Sequence, residues 1–452
     1  MRAESLTGLA LIVLLPWTTA AQQPSFSQPA LTLQQLEERA LANNPTLRQA
    51  VAEIEAARGR ARQAGTFPNP IVGYTGEEIS GGPVIRGGEH GFFVEQPIPL
   101  GGKLGRSRSV FENQALEAEA ATRLQRQRVL TAVRTLFYEA LATERRVGVN
   151  ERLAQLASEA VMVTRQLFNV GAADQPDVLE AEVEAHRSGL RLESARNHRF
   201  TVWRELAAVI GDPRLQPQPL AGTIETMIPE LQRDAALREV LDASPELGVA
   251  RAALDRAGAS VSRARRETSP DLFLRGGVAY NRELLETGVG GEPAPVGWEA
   301  AIEAGISVPV FNRNQGGIAA ASADQDRAEA EVRRMELTIE ARFAVLFEEY
   351  LTALRSTESY RTDLLPRAEE AYRLYLSRYR EMAAAYPQVL IAQRSLFELT
   401  DEYLEMLDTA WRSALAVQGL LATDGLAAPP RPGEGAAEAP TGLDGPSGRT
   451  YR

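Results

Sequence analysis

Apolar residues recur along most of this chain at intervals of three and four. Between residues 103 and 168 they include Val129, Leu130, Val133, Leu136, Phe137, Ala140 and Leu141, and the stretch holds no proline. This spacing draws one stripe along a helix, and a helix that long runs roughly 100 Å at 1.5 Å per residue. Shorter helices are predicted over 32 to 64, behind a Thr32 cap, and over 178 to 210, ending at Gly211. The pattern returns over 231 to 265, 316 to 380 and 388 to 421, with Pro366 expected to kink the second long helix.

Between short and long helices the period changes to two. Leu272, Leu274, Val278 and Tyr280 alternate with Arg275 and Gly277, and Ile302, Ala304, Ile306 and Val308 alternate with Glu303 and Ser307. Val72, Tyr74, Phe92, Val94 and Ile98 repeat the pattern earlier in the chain. Four strands are predicted, two within about 71 to 98 and two within about 271 to 308, with Gly-rich loops between the members of each pair.

The two sets of elements are copies of one unit. Residues 40 to 70 align without gaps on 240 to 270, matching Leu41 with Leu241, Pro45 with Pro245, Leu47 with Leu247 and Pro70 with Pro270. Further on, Pro99 matches Pro309 and Phe137 matches Phe347, and then Pro176 and Val178 match Pro387 and Val389. Three blocks in order at nearly constant spacing indicate an internal duplication. The predicted organisation is an export signal over 1 to 21, a first repeat over 22 to 230, a second over 231 to 424, and a Pro- and Gly-rich tail over 425 to 452 expected to be disordered.

Length and closure constrain the assembly. Two short helices of about 33 residues, stacked end to end, span one long helix, so each repeat makes two helical columns. Alternating strands suit either a half-buried soluble sheet or a barrel with lipid outside and water inside. The export signal, the strand lengths and the Gly-rich loops favour the barrel. Four strands are too few to close one, because the smallest membrane barrels have about eight. A cyclic trimer supplies a 12-stranded barrel and 12 helical columns. The expected fold class is therefore mainly α with a membrane β-barrel.

Composition narrows the chemistry. The formal net charge is −11 and no segment collects Lys or Arg, so no nucleic-acid partner is expected. With no cysteine, disulfides, thiolate metal sites and an acylated N-terminal cysteine are excluded. His90, His186 and His198 are scattered, and no nucleophile, metal set or phosphate loop stands out. Neither an enzyme, a cofactor nor a resident metal is expected.

The segments ALANNPTLRQAVAEIEAARGRARQAGTFPNP, QPIPLGGK, SVPVFNRNQGG, FNVGAADQPDVLEAE and YPQVLIAQRS, in this order, resemble the TolC-like outer membrane efflux proteins, and within them the CzcC-like heavy-metal efflux branch. The resemblance covers residues 32 to about 424. It implies a homotrimer in the outer membrane, continued by an α-helical tunnel across the periplasm. Such channels are passive exit ducts of tripartite pumps, joined to a periplasmic adaptor and an inner-membrane resistance-nodulation-division transporter. Three alternatives remain open: a periplasmic coiled-coil adaptor or structural protein, an exported enzyme on a helical scaffold, and a duct for type I protein secretion.

The resemblance also directs attention to the hairpin tips, 169 to 177 and 381 to 388. Val170, Gly171 and Ala172 match the small-residue tip used for adaptor contact, with Ala384, Ala385 and Tyr386 as candidates on the second tip; Tyr386 with Pro387 equally suits rigid packing of that tip. Gly171 equally suits a plain helix C-cap. Asp177 and Glu180, three apart on one helical face, would form an acidic ring in a trimer, although Asp177 suits an N-cap as well. Some members of the family carry the acids on the second repeat, where this chain has Gln388 and Ile391, the remaining constriction candidates.

Overall fold

The computed structural model describes residues 30–79, 88–226, 228–286 and 292–432. The expected export signal and the end of the tail lie outside them. Each repeat contributes two short helices, a strand pair, a long helix and a returning helix. In the first these are α1 (Leu33–Asn43), α2 (Pro45–Ala64), β1 (Ile71–Glu77), β2 (Glu89–Pro99), α3 (Lys103–Asn169) and α4 (Gln175–Ile210). The second has α5 (Arg233–Ala243), α6 (Pro245–Arg266), β3 (Asp271–Glu286), β4 (Pro293–Ser307), α7 (Gln315–Ser359), α8 (Leu365–Arg380) and α9 (Tyr386–Gln418).

Several boundaries differ from the predicted ones for identifiable reasons. The helix expected over 32 to 64 is broken at Asn44, because Pro45 excludes the helical conformation from the residue before it. Asn44 makes the break stable: its Oδ1 accepts from Thr46 N at 2.8 Å and its Nδ2 donates to Val209 O at 2.7 Å. The helix expected over 231 to 265 breaks likewise at Ser244, ahead of Pro245. Thr32 caps α1 as expected, in a reciprocal capping box with Gln35. Ahead of Pro366 the helix widens into a π-turn over Tyr360–Leu364, which makes room for the ring and the missing N–H and divides α7 from α8.

The four strands form one antiparallel sheet in the order β1-β2-β3-β4. One face carries Val72, Tyr74, Phe92, Val94, Leu274, Val278, Trp298, Ile302 and Ile306, all exposed, with Ile302 at 85%. The other carries the register row Glu95↔Arg275↔Glu303, with the Arg275 guanidinium 3.7 Å over the Phe93 ring. The pleat thus separates an apolar face from a charged one. β1 and β4 each have one edge unpaired among the described residues.

From the sheet the helices continue as a wall of four columns. α3 packs against α2 and α6, then against α4 and α9, while α7 and α8 flank α6 and α9. Arg58–Glu119 at 2.9 Å and Arg256–Glu117 at 2.6 Å tie α2 and α6 to the sheet-proximal half of α3. The end of α4 meets the α1–α2 break, where Gly211 adopts φ +78 and a Cβ would lie 2.8 Å from Asn43 O. At the sheet junction, Lys103 at the start of α3 pairs with Asp271 at 2.8 Å and Glu267 at 3.7 Å.

The main core sits at the level where the short helices abut. It gathers Leu36, Val133, Phe137, Leu206, Ile210, Phe343, Phe347, Leu404 and Trp411. The linker between the repeats straps this level: Trp411 Nε1 donates to Ile224 O at 2.9 Å and the Tyr350 hydroxyl to Pro229 O at 2.8 Å. The tail expected to be disordered from 425 instead stays on α3 as far as 432, with Gln125 Nε2 donating to Gly425 O and Gln114 Nε2 to Pro432 O. A cavity of about 870 Å³ opens here among Leu136, Val209, Leu346 and Leu421, with Glu205 and Arg412 at its margin.

Three carboxylates converge beside this cavity from three helices: Glu139, Glu205 and Asp408. Burial, then the charges of Asp408 and Glu205, push the Glu139 carboxyl up to about 7, against a smaller pull from Arg412. The folded state therefore keeps a proton that the unfolded chain releases near its ordinary value of 4.5. This component of stability is full at low pH, falls as pH rises from about 4.5 through about 7, and is level above. Glu139→Gln is expected to raise the thermal midpoint at pH 8 and to change it much less near pH 5. Parallel melting of variant and native protein at both values would contradict this account.

Candidate functional site

The end of the molecule far from the sheet is built from two hairpin tips. At the first, α3 closes through Gly171 N to Phe168 O at 3.0 Å and Ala172 N to Leu167 O at 2.8 Å. Gly171 takes φ +75, as a C-cap of this kind requires. At the second, α8 closes through Met382 N to Tyr379 O at 3.0 Å and Ala383 N to Arg378 O at 2.8 Å. Met382 holds φ +58 there, so the two tips share one geometry although only the first has glycine.

Val170, Gly171 and Ala172 are exposed at the first tip, and Ala385 at the second; Ala384 is half-buried. Tyr386 takes the packing position and not an exposed one. It is only 1% exposed, packed against Tyr379 at 5.6 Å between ring centroids, and holds the tip from inside.

The returning helix begins at Gln175, three residues earlier than predicted, because Asp174 and not Asp177 is its N-cap. Asp177 occupies the third helical position and its Oδ2 accepts from Asp174 N at 3.4 Å. Asp177 is half-buried and Glu180 exposed; Gln388 and Ile391 are exposed at the matching positions of α9. The acids of the first hairpin face the aromatics of the second. Burial raises the Tyr379 phenol, the Thr164 hydroxyl pulls it partly back, and Asp177 raises it further. Burial raises Tyr386 strongly, with Glu184 and then Glu180 adding to the effect.

Glu184 did not stand out in the sequence. It is 1% exposed, accepts from Arg394 Nε at 3.2 Å, and its Oε1 lacks a partner among the described residues. Gln393, next to Arg394 in the chain, is fully buried, with both amide atoms unpaired among the described residues. Asp177, Glu180 and Glu184 follow one another at three and four residues, which was the available signal for an acidic face. A polar seam between the hairpins is costly to bury and is easier to part than an apolar one.

The other chemically distinctive surface is the charged face of the sheet. Glu77, Glu89, Glu95, Glu299 and Glu303 share the side that carries Arg275. No grouping of His, Asp and Glu able to hold a metal ion occurs among the described residues. Nor is any described helix long and apolar enough to cross a membrane.

An open sheet with one apolar and one charged face, running on into a wall of helices, defines a segment of a membrane-spanning conduit. A sequence profile of the outer membrane efflux protein family matches residues 36–212 and again 236–423, and the chain belongs to that family. It is an outer-membrane protein whose helical end extends into the periplasm. Similar chains include the cobalt-zinc-cadmium resistance protein CzcC of Cupriavidus metallidurans, 24% identical over 93% of this chain and 94% of that protein. The toluene efflux pump outer membrane protein TtgC of Pseudomonas putida is 26% identical, over 82% of this chain and 78% of that one. Among solved structures, the outer-membrane channel OprN superposes with a TM-score of 0.71 at 20% identity, covering 88% of this chain and 91% of that one.

The shared tip geometry can be tested directly. Met382→Gly removes the strain of a side chain at positive φ and is expected to stabilise the detergent-solubilised protein by up to ~1 kcal/mol. Gly171→Ala is expected to cost about as much. Thermal midpoints moving in the same direction for both variants would argue against it.

Proposed function

We propose that three copies of this chain close a barrel and tunnel that form the passive exit duct of a tripartite pump, with divalent transition-metal cations as cargo. The observation that carries the duct is the open sheet. β1 and β4 leave unpaired edges beside a face suited to lipid, where each unsatisfied backbone group costs several kcal/mol. Copies pairing β4 with the next β1 remove every edge. An inner-membrane resistance-nodulation-division transporter supplies the energy, and the duct performs no catalytic step.

In this reading Val170, Gly171, Ala172, Ala384 and Ala385 meet the periplasmic adaptor, and Tyr386 supports them from behind. Asp177 and Glu180 recur three times around the narrow end and favour cations, while Gln388 and Ile391 leave the second hairpin uncharged there. The metal cargo is supported by the likeness to CzcC along nearly the full length of both chains. The likeness to TtgC favours apolar solvents as the second reading.

Two measurements decide between these outcomes. Deleting the gene should sensitise cells to cobalt, zinc or cadmium, with growth restored by the intact chain; sensitisation to toluene alone would favour the second reading. In planar bilayers, Asp177→Asn with Glu180→Gln should lower the cation preference of the single-channel current several-fold. Unchanged selectivity would remove both residues from the constriction.

A further inference from the structure

Arginine supplies all but one of the 49 basic residues of this chain, and the single lysine is Lys103. It opens α3 at the point where β2 passes into the wall of helices, and its side chain is 11% exposed. The turn before it is Leu100, Gly101 and Gly102, with the two glycines at φ +69 and +73. Glycine has the widest choice of backbone conformation, and α3 begins here without a side-chain cap. By itself such a turn is a swivel between the sheet and the first long helix.

One carboxylate grips this turn on both sides of the glycines. Asp271, the first residue of β3, accepts from Leu100 N through Oδ1 at 3.3 Å and from Lys103 Nζ through Oδ2 at 2.8 Å. Glu267, at the end of α6, lies 3.7 Å from the same ammonium. Gly101 is pressed against Ser269, where a Cβ would come within 2.2 Å of Oγ. The swivel of the first repeat is thus closed by residues of the second. A compact ammonium with three donors can turn toward two separate carboxylates in a confined space, which the larger planar fork of arginine does not match.

The second repeat has no equivalent. The positions matching Glu267 and Asp271 are Phe67 and Ile71, those matching Gly101 and Gly102 are Phe311 and Asn312, and Arg313 stands for Lys103. That turn is held within its own repeat: Val310 N donates to Val308 O at 2.9 Å, Arg313 Nε to Val310 O at 3.3 Å, and Asn314 Nδ2 to Ala264 O at 2.9 Å.

We propose that Lys103, Asp271 and Glu267 form a latch on a glycine swivel. Closed, it fixes the first long helix to the sheet; released, it lets the first turn of α3 part from β3 while the joint between β4 and α7 stays in place. The side chains of Asp271 and Glu267 are 46% and 41% exposed, so salt reaches the acidic side of the latch and weakens it.

A single lysine gives the test a single target, because endoproteinase Lys-C cuts only after lysine. The full-length protein, folded in mild detergent, is treated with this protease and the two fragments meeting at Lys103 are followed with time. The native protein is expected to be cut many-fold more slowly than the heat-unfolded chain. Asp271→Asn should be cut several-fold faster than native, Glu267→Gln faster by a smaller factor, and Glu348→Gln, an acid on α7 away from the joint, at the native rate. Raising salt from ~0.1 to ~1 M should speed cleavage of the native protein several-fold relative to a short lysine peptide, and change that of Asp271→Asn much less. Trypsin, which also attacks the arginines, should make its first cut in Asp271→Asn at Lys103; first cuts elsewhere would show general loosening and overturn the proposal. Rates for Asp271→Asn equal to native, or a native rate equal to that of the unfolded chain, would overturn it as well. The cut reads a joint within one chain, so its outcome is independent of whether three copies form a duct.

Discussion

The structure depends on the requirement that backbone N–H and C=O groups be paired wherever water is absent. In a hydrocarbon layer four strands cannot meet it alone, and the exposed edges of β1 and β4 pass the requirement on to other copies. A sheet with one charged and one apolar face has no stable use as an isolated layer. Closed around water, each face meets its proper solvent, and the row Glu95, Arg275 and Glu303 becomes part of a polar lining.

Below the sheet the same closure is carried by helices, which satisfy their own backbone and leave side chains to hold the wall together. The columns must match in length, so the weak point is the level where two short helices meet beside one unbroken long one. This level is where the chain concentrates its buried aromatics, the Asn44 bridge to Val209, the linker strap and the returning tail. It also concentrates carboxylates, which makes its stability dependent on pH. Toward the tips a second, smaller apolar cluster that includes Leu376, Tyr386, Val389 and Phe397 is joined by the buried polar groups of Glu184 and Gln393.

Much of this was legible in the linear pattern. The period-two runs located the strands, because alternation is imposed by the pleat whatever the assembly. Helical periodicity located the columns, and the duplication showed which segments correspond. The Asn44 and Ser244 breaks were also written in the chain as residues preceding proline, but a continuous apolar stripe hid them; backbone sterics prevailed over periodicity there. The Asp174 cap was displaced in the prediction by Asp177, because both suit the start of a helix and only the backbone path distinguishes the cap from the residue that reaches back to it.

What the sequence by itself determined is the set of elements, their polarity and the impossibility of a single chain closing the sheet, since these follow from local sterics, side-chain alternation and strand number. What only the tertiary structure decided is which side chains meet across elements. The inward position of Tyr386, the burial of Glu184 beneath Arg394 and the convergence of Glu139 with Glu205 and Asp408 all depend on contacts between different helices. Burial and charge proximity are properties of three-dimensional neighbourhoods, and spacing along one helix does not specify what another helix brings to face it.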